Sequence, residues 1–166
     1  MSACDILVIA NLNMDLILEQ KNSQQTSRKR YADSFTLSPG GNGYNEAVAA
    51  ARMGATVALA GMIGSDSFGA QLKASLNEEI TDSQLVRVVP GSSGLSLILS
   101  SAGQENIYWD IVGANACLDE EYIRGLESHI AKVKLLVVGF GVPYASTVLA
   151  IRLAQKHGTA VMLVAY

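Results

Sequence analysis

Polar and apolar positions along this chain follow two rhythms. Ile6 to Ala10 is an unbroken apolar run, and Val57 to Ala60, Leu135 to Val138 and Val161 to Val164 repeat it. Apolar runs without alternation predict strands covered on both faces inside a parallel sheet. Helical spacing fills the intervals between them. It predicts an alanine-rich helix over Asn45 to Met53 followed by Gly54, one over Phe68 to Glu79, and one over Asp119 to Ala131 capped by Asp119 ahead of Glu120 and Glu121. A fourth helix, Ser146 to His157, closes at Gly158 and completes a strand–helix–strand unit with its neighbours. The second rhythm has a period of two. Leu95, Leu97 and Leu99 share one face of a predicted strand, as do Ile107, Trp109 and Ile111 of the next, and Ser101 to Gln104 read as the turn between them. Leu16 to Leu37 has strand-like ends around a polar loop, so residues 14–38 and 94–112 predict a small sheet standing off the main body.

Composition narrows this picture to one globular domain. The 166 residues are 49% hydrophobic and 16% charged, with a net charge of −3. Arg28, Lys29 and Arg30 form the one basic run, and after the polar stretch Lys21 to Ser27 they read as a solvated turn. Nucleic acid is not an expected partner of such a chain. No internal repeat, low-complexity tract or linker divides it. No segment has the length and apolarity of a membrane span, and no basic leader precedes Ile6. Two scattered cysteines, Cys4 and Cys117, without a CxxC pair or spaced histidines, argue against a metal site and fit the reducing cytoplasm, although a Cys4–Cys117 disulfide stays open.

Two clusters could carry chemistry. Pro39-Gly40-Gly41-Asn42-Gly43-Tyr44-Asn45-Glu46 is a glycine cluster that opens into a helix. Free N–H groups at a helix start suggest a phosphate cradle. Glu46 stands where a dinucleotide fingerprint wants glycine, however, and no Gly-Lys-Ser/Thr of a nucleotide loop occurs. A plain helix-starting turn is the competing reading. Asn11, Asn13 and Asp15 follow the first buried strand at two-residue spacing, which places them on one side. Ligands of open α/β sheets bind beyond the carboxyl ends of the strands, and carboxamides with a carboxylate suit the hydroxyls of a neutral polyol. A turn with local side-chain caps is the alternative there.

In order and spacing these clusters resemble the PfkB/ribokinase family of carbohydrate kinases. Asn13-Met14-Asp15 is similar to the family's Asn-x-Asp, and Gly40 to Asn45 to its Gly-Gly-x-Gly-x-Asn signature, continued through Ala47 to Ala55. Gly64, Asp66, Phe68, Gly69 and the Gly113-Ala114-Asn115-Ala116 element also match, the last resembling the ribokinase branch. The resemblance covers about Ile6 to Val164. It implies a three-layer α/β/α fold with a mostly parallel sheet and a small β lid. It also implies a sugar site formed by Asn13, Asp15, Gly41, Asn42, Gly43 and Asn45, which replaces the phosphate reading of the glycines. The implied reaction is ATP- and Mg²⁺-dependent phosphorylation of a sugar hydroxyl, ribose or a related pentose, with subunits pairing through the lid. Whether the leucine stripe meets a twin or its own domain stays open.

The resemblance also sets expectations of absence. Family members continue beyond Tyr166 into the ATP pocket and a glycine-rich turn ending in the catalytic aspartate, so this chain is expected to be an N-terminal half with no catalytic residue of its own, inactive alone. Asn42 stands where ribokinases commonly carry lysine, and Gly141 where a sugar-binding glutamate is common. The competing expectation is a non-catalytic sugar-binding or oligomerising module. A dinucleotide oxidoreductase is set aside because the glycines follow the wrong strand and no acidic residue ends a second strand for ribose.

Overall fold

The computed structural model describes residues 4–21 and 29–165. Arg28, most of the polar stretch before it, and Tyr166 lie outside the described residues. Lys29 and Arg30 are exposed, with the Lys29 ammonium 5.1 Å from the centre of the Tyr31 ring.

Five parallel strands form the main sheet: β1 (Ile6–Ile9), β4 (Val57–Gly64), β5 (Val86–Val89), β8 (Leu135–Gly139) and β9 (Ala160–Val164), in the order β5-β4-β1-β8-β9. β1 is central, and period two divides it between two cores. Leu7 and Ile9 face one layer, with α3 (Glu120–Gly125), α4 (Glu127–Ile130) and α5 (Tyr144–His157); Val8 and Ala10 face the other, with α1 (Asn42–Arg52) and α2 (Ser67–Glu79). Unbroken apolar runs are thus the signature of a sheet with helices on both sides, as the sequence pattern predicts. Each fully buried Leu or Ile contributes about 1.5–3 kcal/mol.

Three elements differ from the sequence-based expectation. The Asp119 to Ala131 segment is two short helices with a break at Leu126, because Gly125 is a poor helix former and Leu126 turns into the core. Asp119 does cap the first, accepting the Tyr122 N–H at 2.8 Å. The first helix begins at Asn42 rather than Asn45, taking part of the glycine cluster into its first turn. β5 carried no clear pattern, since Arg87 interrupts its apolar residues; the Arg87 guanidinium covers the Tyr122 ring at 4.8 Å.

A second sheet has the order β3-β2-β6-β7, from β2 (Asn13–Gln20), β3 (Ser34–Gly40), β6 (Gly94–Ser101) and β7 (Ile107–Ile111). β2 runs antiparallel to β3 and parallel to β6, which is antiparallel to β7. The registers align Phe35, Leu18, Leu99 and Ile107 in one row, and Leu37, Leu16, Leu97 and Trp109 in the next, all on one face. Met14, Leu37 and Leu95 of that face pack on the core beside α2. Farther out it is open, with Phe35 68% and Trp109 53% exposed.

Asp66 locks the segment that leads into β6. Its Oδ1 accepts the Gly69 N–H at 2.8 Å, capping α2, and the Ser93 hydroxyl at 2.6 Å; Oδ2 accepts the Ser93 N–H at 2.9 Å. Burial alone would raise this carboxyl, but the Ser93 and Gly69 hydrogen bonds outweigh it and hold its pKa below the ordinary carboxylate value. Stability from a depressed carboxylate is present above its unfolded value and lost as pH falls through the folded one. Asp66→Ala is therefore expected to cost about 1–3 kcal/mol in urea unfolding at pH 7. The gap to wild type should shrink below about pH 4; a gap that stays constant from pH 7 to pH 3 would contradict this account.

Candidate functional site at the exit of the central strand

The chain leaves β1 and reaches β2 through only Ala10, Asn11 and Leu12, so the first residues of the second sheet stand at the carboxyl edge of the first. Buried Asn115, in the one-turn 3-10 helix Gly113–Cys117, fixes this crossing. Its Oδ1 accepts the Leu12 N–H at 2.8 Å, and its Nδ2 donates to Asn13 Oδ1 at 2.8 Å and to the Val112 carbonyl at 3.0 Å. All polar atoms of this buried carboxamide are thereby satisfied. Gly94 lies opposite Asn13, and a Cβ there would stand 2.1 Å from Asn13 Oδ1, so glycine makes room for the Asn13–Asn115 bond.

The glycine cluster approaches from the other side. Gly41 has φ +93, the left-handed region that favours glycine, and it precedes α1 as a cap residue without a side chain. Asn11 supplies the missing cap from elsewhere, its Oδ1 accepting the Gly43 N–H at 3.0 Å. Asn42 and Asn45 are exposed, three residues apart on one rim of the helix start, and the Asn45 N–H bonds the Gly41 carbonyl at 2.9 Å. Asn13 and Asp15 share one face of β2, but Asn11 does not join them: it precedes the strand, where alternation no longer applies, and turns to Gly43 and Gly141.

Asp15 lies over Gly40, where a Cβ would come within 2.0 Å of its Oδ2. Register places Ser38, Asp15, Ser96 and Asp110 in one row across the four strands, and the Ser96 hydroxyl donates to Asp110 Oδ1 at 2.6 Å. Burial, then the charge of Asp110, raises the Asp15 pKa above the ordinary value, while a hydrogen bond from the Gly41 backbone opposes them. Asp110 and Asn115 were not singled out as site residues from sequence. Period two places Asp110 opposite in face to Trp109, which was a readable signal; Asn115 needed the fold.

The six expected site residues thus gather where β1, β2 and α1 meet. They offer one carboxylate, three carboxamides and helix-start amides, and no cation. Such a set recognises hydroxyl groups, which both donate and accept. Among the described residues no group of three or more His, Cys, Asp or Glu could hold a metal ion, and both cysteines are free thiols.

The profile of the pfkB family of carbohydrate kinases matches residues 4–166. Ribokinase of Schizosaccharomyces pombe is 27% identical over 166 residues, covering 96% of this chain, and ribokinase of Haemophilus influenzae is 31% identical over 159 residues, covering 95%. Each alignment takes in 52% of the relative, so the chain spans about half the length of the curated relatives it matches. The solved structure of Arabidopsis thaliana ribokinase complexed with ribose and ATP superposes with a TM-score of 0.85 at 19% identity, over 97% of this chain and 53% of that one, a likeness of fold. With a family match along nearly its whole length, the chain belongs to the pfkB family of carbohydrate kinases.

Proposed function

We propose that this chain forms the sugar-binding side of an ATP-dependent carbohydrate kinase, with ribose or a related pentose as acceptor, Asn13, Asp15, Gly41, Asn42, Gly43 and Asn45 as its sugar-binding residues, and the second sheet as a lid over them. The observation that carries this reading is Asp15, a half-buried carboxylate whose fold disfavours its charge and which has a helix start beside it. A hydroxyl donated to Asp15 restores the hydrogen bonding that burial removes. The names of the matched relatives and the ribose in the Arabidopsis neighbour support a pentose. ATP and Mg²⁺ belong to the proposal through the family. Among the described residues no cluster of acidic, histidine or cysteine side chains could hold the metal, so the role proposed for this chain is sugar binding and not phosphoryl transfer.

A second reading, a non-catalytic sugar-binding module that pairs with a copy of itself, draws on the open end of the lid. Phe35, Trp109, Ile107 and Ile111 are exposed on one apolar face, beside a cavity of about 240 Å³ lined by Leu18, Gln20, Arg30, Tyr31, Ala32, Leu97, Leu99 and Trp109. Exposed apolar surface of this kind favours association. Both readings use the same sugar site, and turnover separates them.

Ribose at a hundredfold excess over its Kd should stabilise the chain by about 2.7 kcal/mol, read as a rise in Tm. Because the folded pKa of Asp15 is raised, its ionised form costs stability at neutral pH, and that cost vanishes as pH falls to the unfolded value. Asp15→Asn should accordingly leave Tm unchanged or higher at pH 7, lose that advantage below about pH 4, and abolish the ribose response. A variant that answers ribose like wild type would remove Asp15 from the site. In light scattering the wild type should elute as a dimer and Trp109→Asp as a monomer; a monomeric wild type would overturn pairing through the lid.

A further inference from the structure

Asn11 is the polar residue at this junction that the proposed sugar site leaves unused. It sits between the starts of two helices. Its Oδ1 accepts the Gly43 N–H at 3.0 Å, which settles the orientation of the carboxamide, because only its oxygen can take a backbone N–H. The same side chain fills the space beside Gly141, just past β8: a Cβ at position 141 would lie 2.6 Å from Asn11 Cγ and Oδ1 and 3.0 Å from Nδ2. Glycine at 141 is therefore what admits the Asn11 side chain. The Nδ2 group has no protein partner among the described residues, and Asn11 is partly exposed, at the carboxyl ends of adjacent strands β1 and β8 where ligands of open α/β sheets bind.

Resting on the sugar-binding reading above, we propose that Asn11 is a further specificity-determining residue, which donates its side-chain N–H to a sugar oxygen while its own oxygen holds the start of α1. Asp15 only accepts and Asn11 Nδ2 only donates. Together they select a substrate that offers both a donor and an acceptor, a neutral polyol. An aldopentose meets this demand, and its analogue lacking a hydroxyl at the Asn11 contact does not. Gly141 acts through Asn11 alone.

Ribose titration of the 166-residue chain by calorimetry, with Tm and Gly43 amide exchange measured without sugar, tests this. Asn11→Asp has the same shape, keeps an oxygen for Gly43 and removes the donor. It should leave Gly43 protected and Tm near wild type while weakening ribose about tenfold. Asn11→Ala should weaken ribose at least as much and expose the Gly43 amide as well. Gly141→Ala should weaken ribose, and the double variant Asn11→Ala, Gly141→Ala should be no worse than Asn11→Ala alone. Wild-type affinity in Asn11→Asp, or additive losses in the double variant, would overturn the proposal while leaving the sugar-binding reading intact. A wild type that binds no pentose would overturn both.

Discussion

Close packing around the four residues Ala10 to Asn13 is the constraint from which the rest of this structure follows. The chain passes there from the middle of one sheet to the middle of another, and four glycines from three other segments press on it. A Cβ on Gly43 would lie 2.6 Å from Ala10 Cα, one on Gly61 2.8 Å from Leu12 Cδ1, one on Gly41 2.7 Å from the Asn11 carbonyl oxygen, and one on Gly94 2.1 Å from Asn13 Oδ1. At contacts this short, mostly to backbone or to side chains held by hydrogen bonds, even a methyl group forces the structure apart, at about 1–3 kcal/mol or more. The spacing Gly-x-Gly around Asn42 is thus a packing requirement of the crossing. The helix start must come within backbone contact of the β1 exit before α1 and β2 can share one junction.

Electrostatics and burial pull in opposite directions at that junction. Asp66 and Asp15 are both partly buried carboxylates, yet they shift oppositely. Asp66 receives three hydrogen bonds from Ser93 and Gly69 and stabilises the fold as an anion. Asp15 has the Gly41 backbone as its helper and Asp110 as its like-charged neighbour, so its ionised form is held against the preference of the fold. A residue that serves stability looks like the first; a residue left short of partners looks like one that awaits a ligand. This asymmetry separates the structural aspartate of the Gly64 to Gly69 turn from the candidate site aspartate in β2.

Much of the fold was legible because its signals are local. Leu7 to Ala10 are apolar on both faces, so the two helix layers were already implied; Leu95, Leu97 and Leu99 alternate, so a one-faced sheet was too. The misses were non-local. Nothing in residues 86–89 announces a strand, since β5 exists by pairing with Gly61 to Gly64 across α2. Asn11 followed the period of Asn13 and Asp15 in sequence, but it lies outside the strand, and a hydrogen bond to a residue 32 positions away decides its direction. The candidate site residues were read from motif and spacing, whereas Asn115, whose role is to hold Leu12 and Asn13 in place, acquires meaning only when residues 103 positions apart meet.

The topology of the second sheet explains why the candidate site sits where it does. Its strands meet the main body at one end only: β2 begins there at Asn13, β3 ends there at Gly40, β6 begins there at Gly94 and β7 ends there at Ile111. Each attachment has its own clip. Asn115 holds Leu12 and Val112, Asp66 holds Ser93, and Asn11 holds the turn after Gly40 through Gly43. At the other end Phe35 and Ile107 are exposed, while Gln20 and Ser101 are buried and joined by a hydrogen bond between their side chains. Asn13 and Asp15 are the first residues of β2 on its polar face beyond that line, so the bonds that fasten the sheet also fix their positions. Candidate polar groups at the fastened edge and an apolar surface far from it follow from one cause, the single-edged attachment that the glycine-packed crossing at Ala10 to Asn13 makes possible.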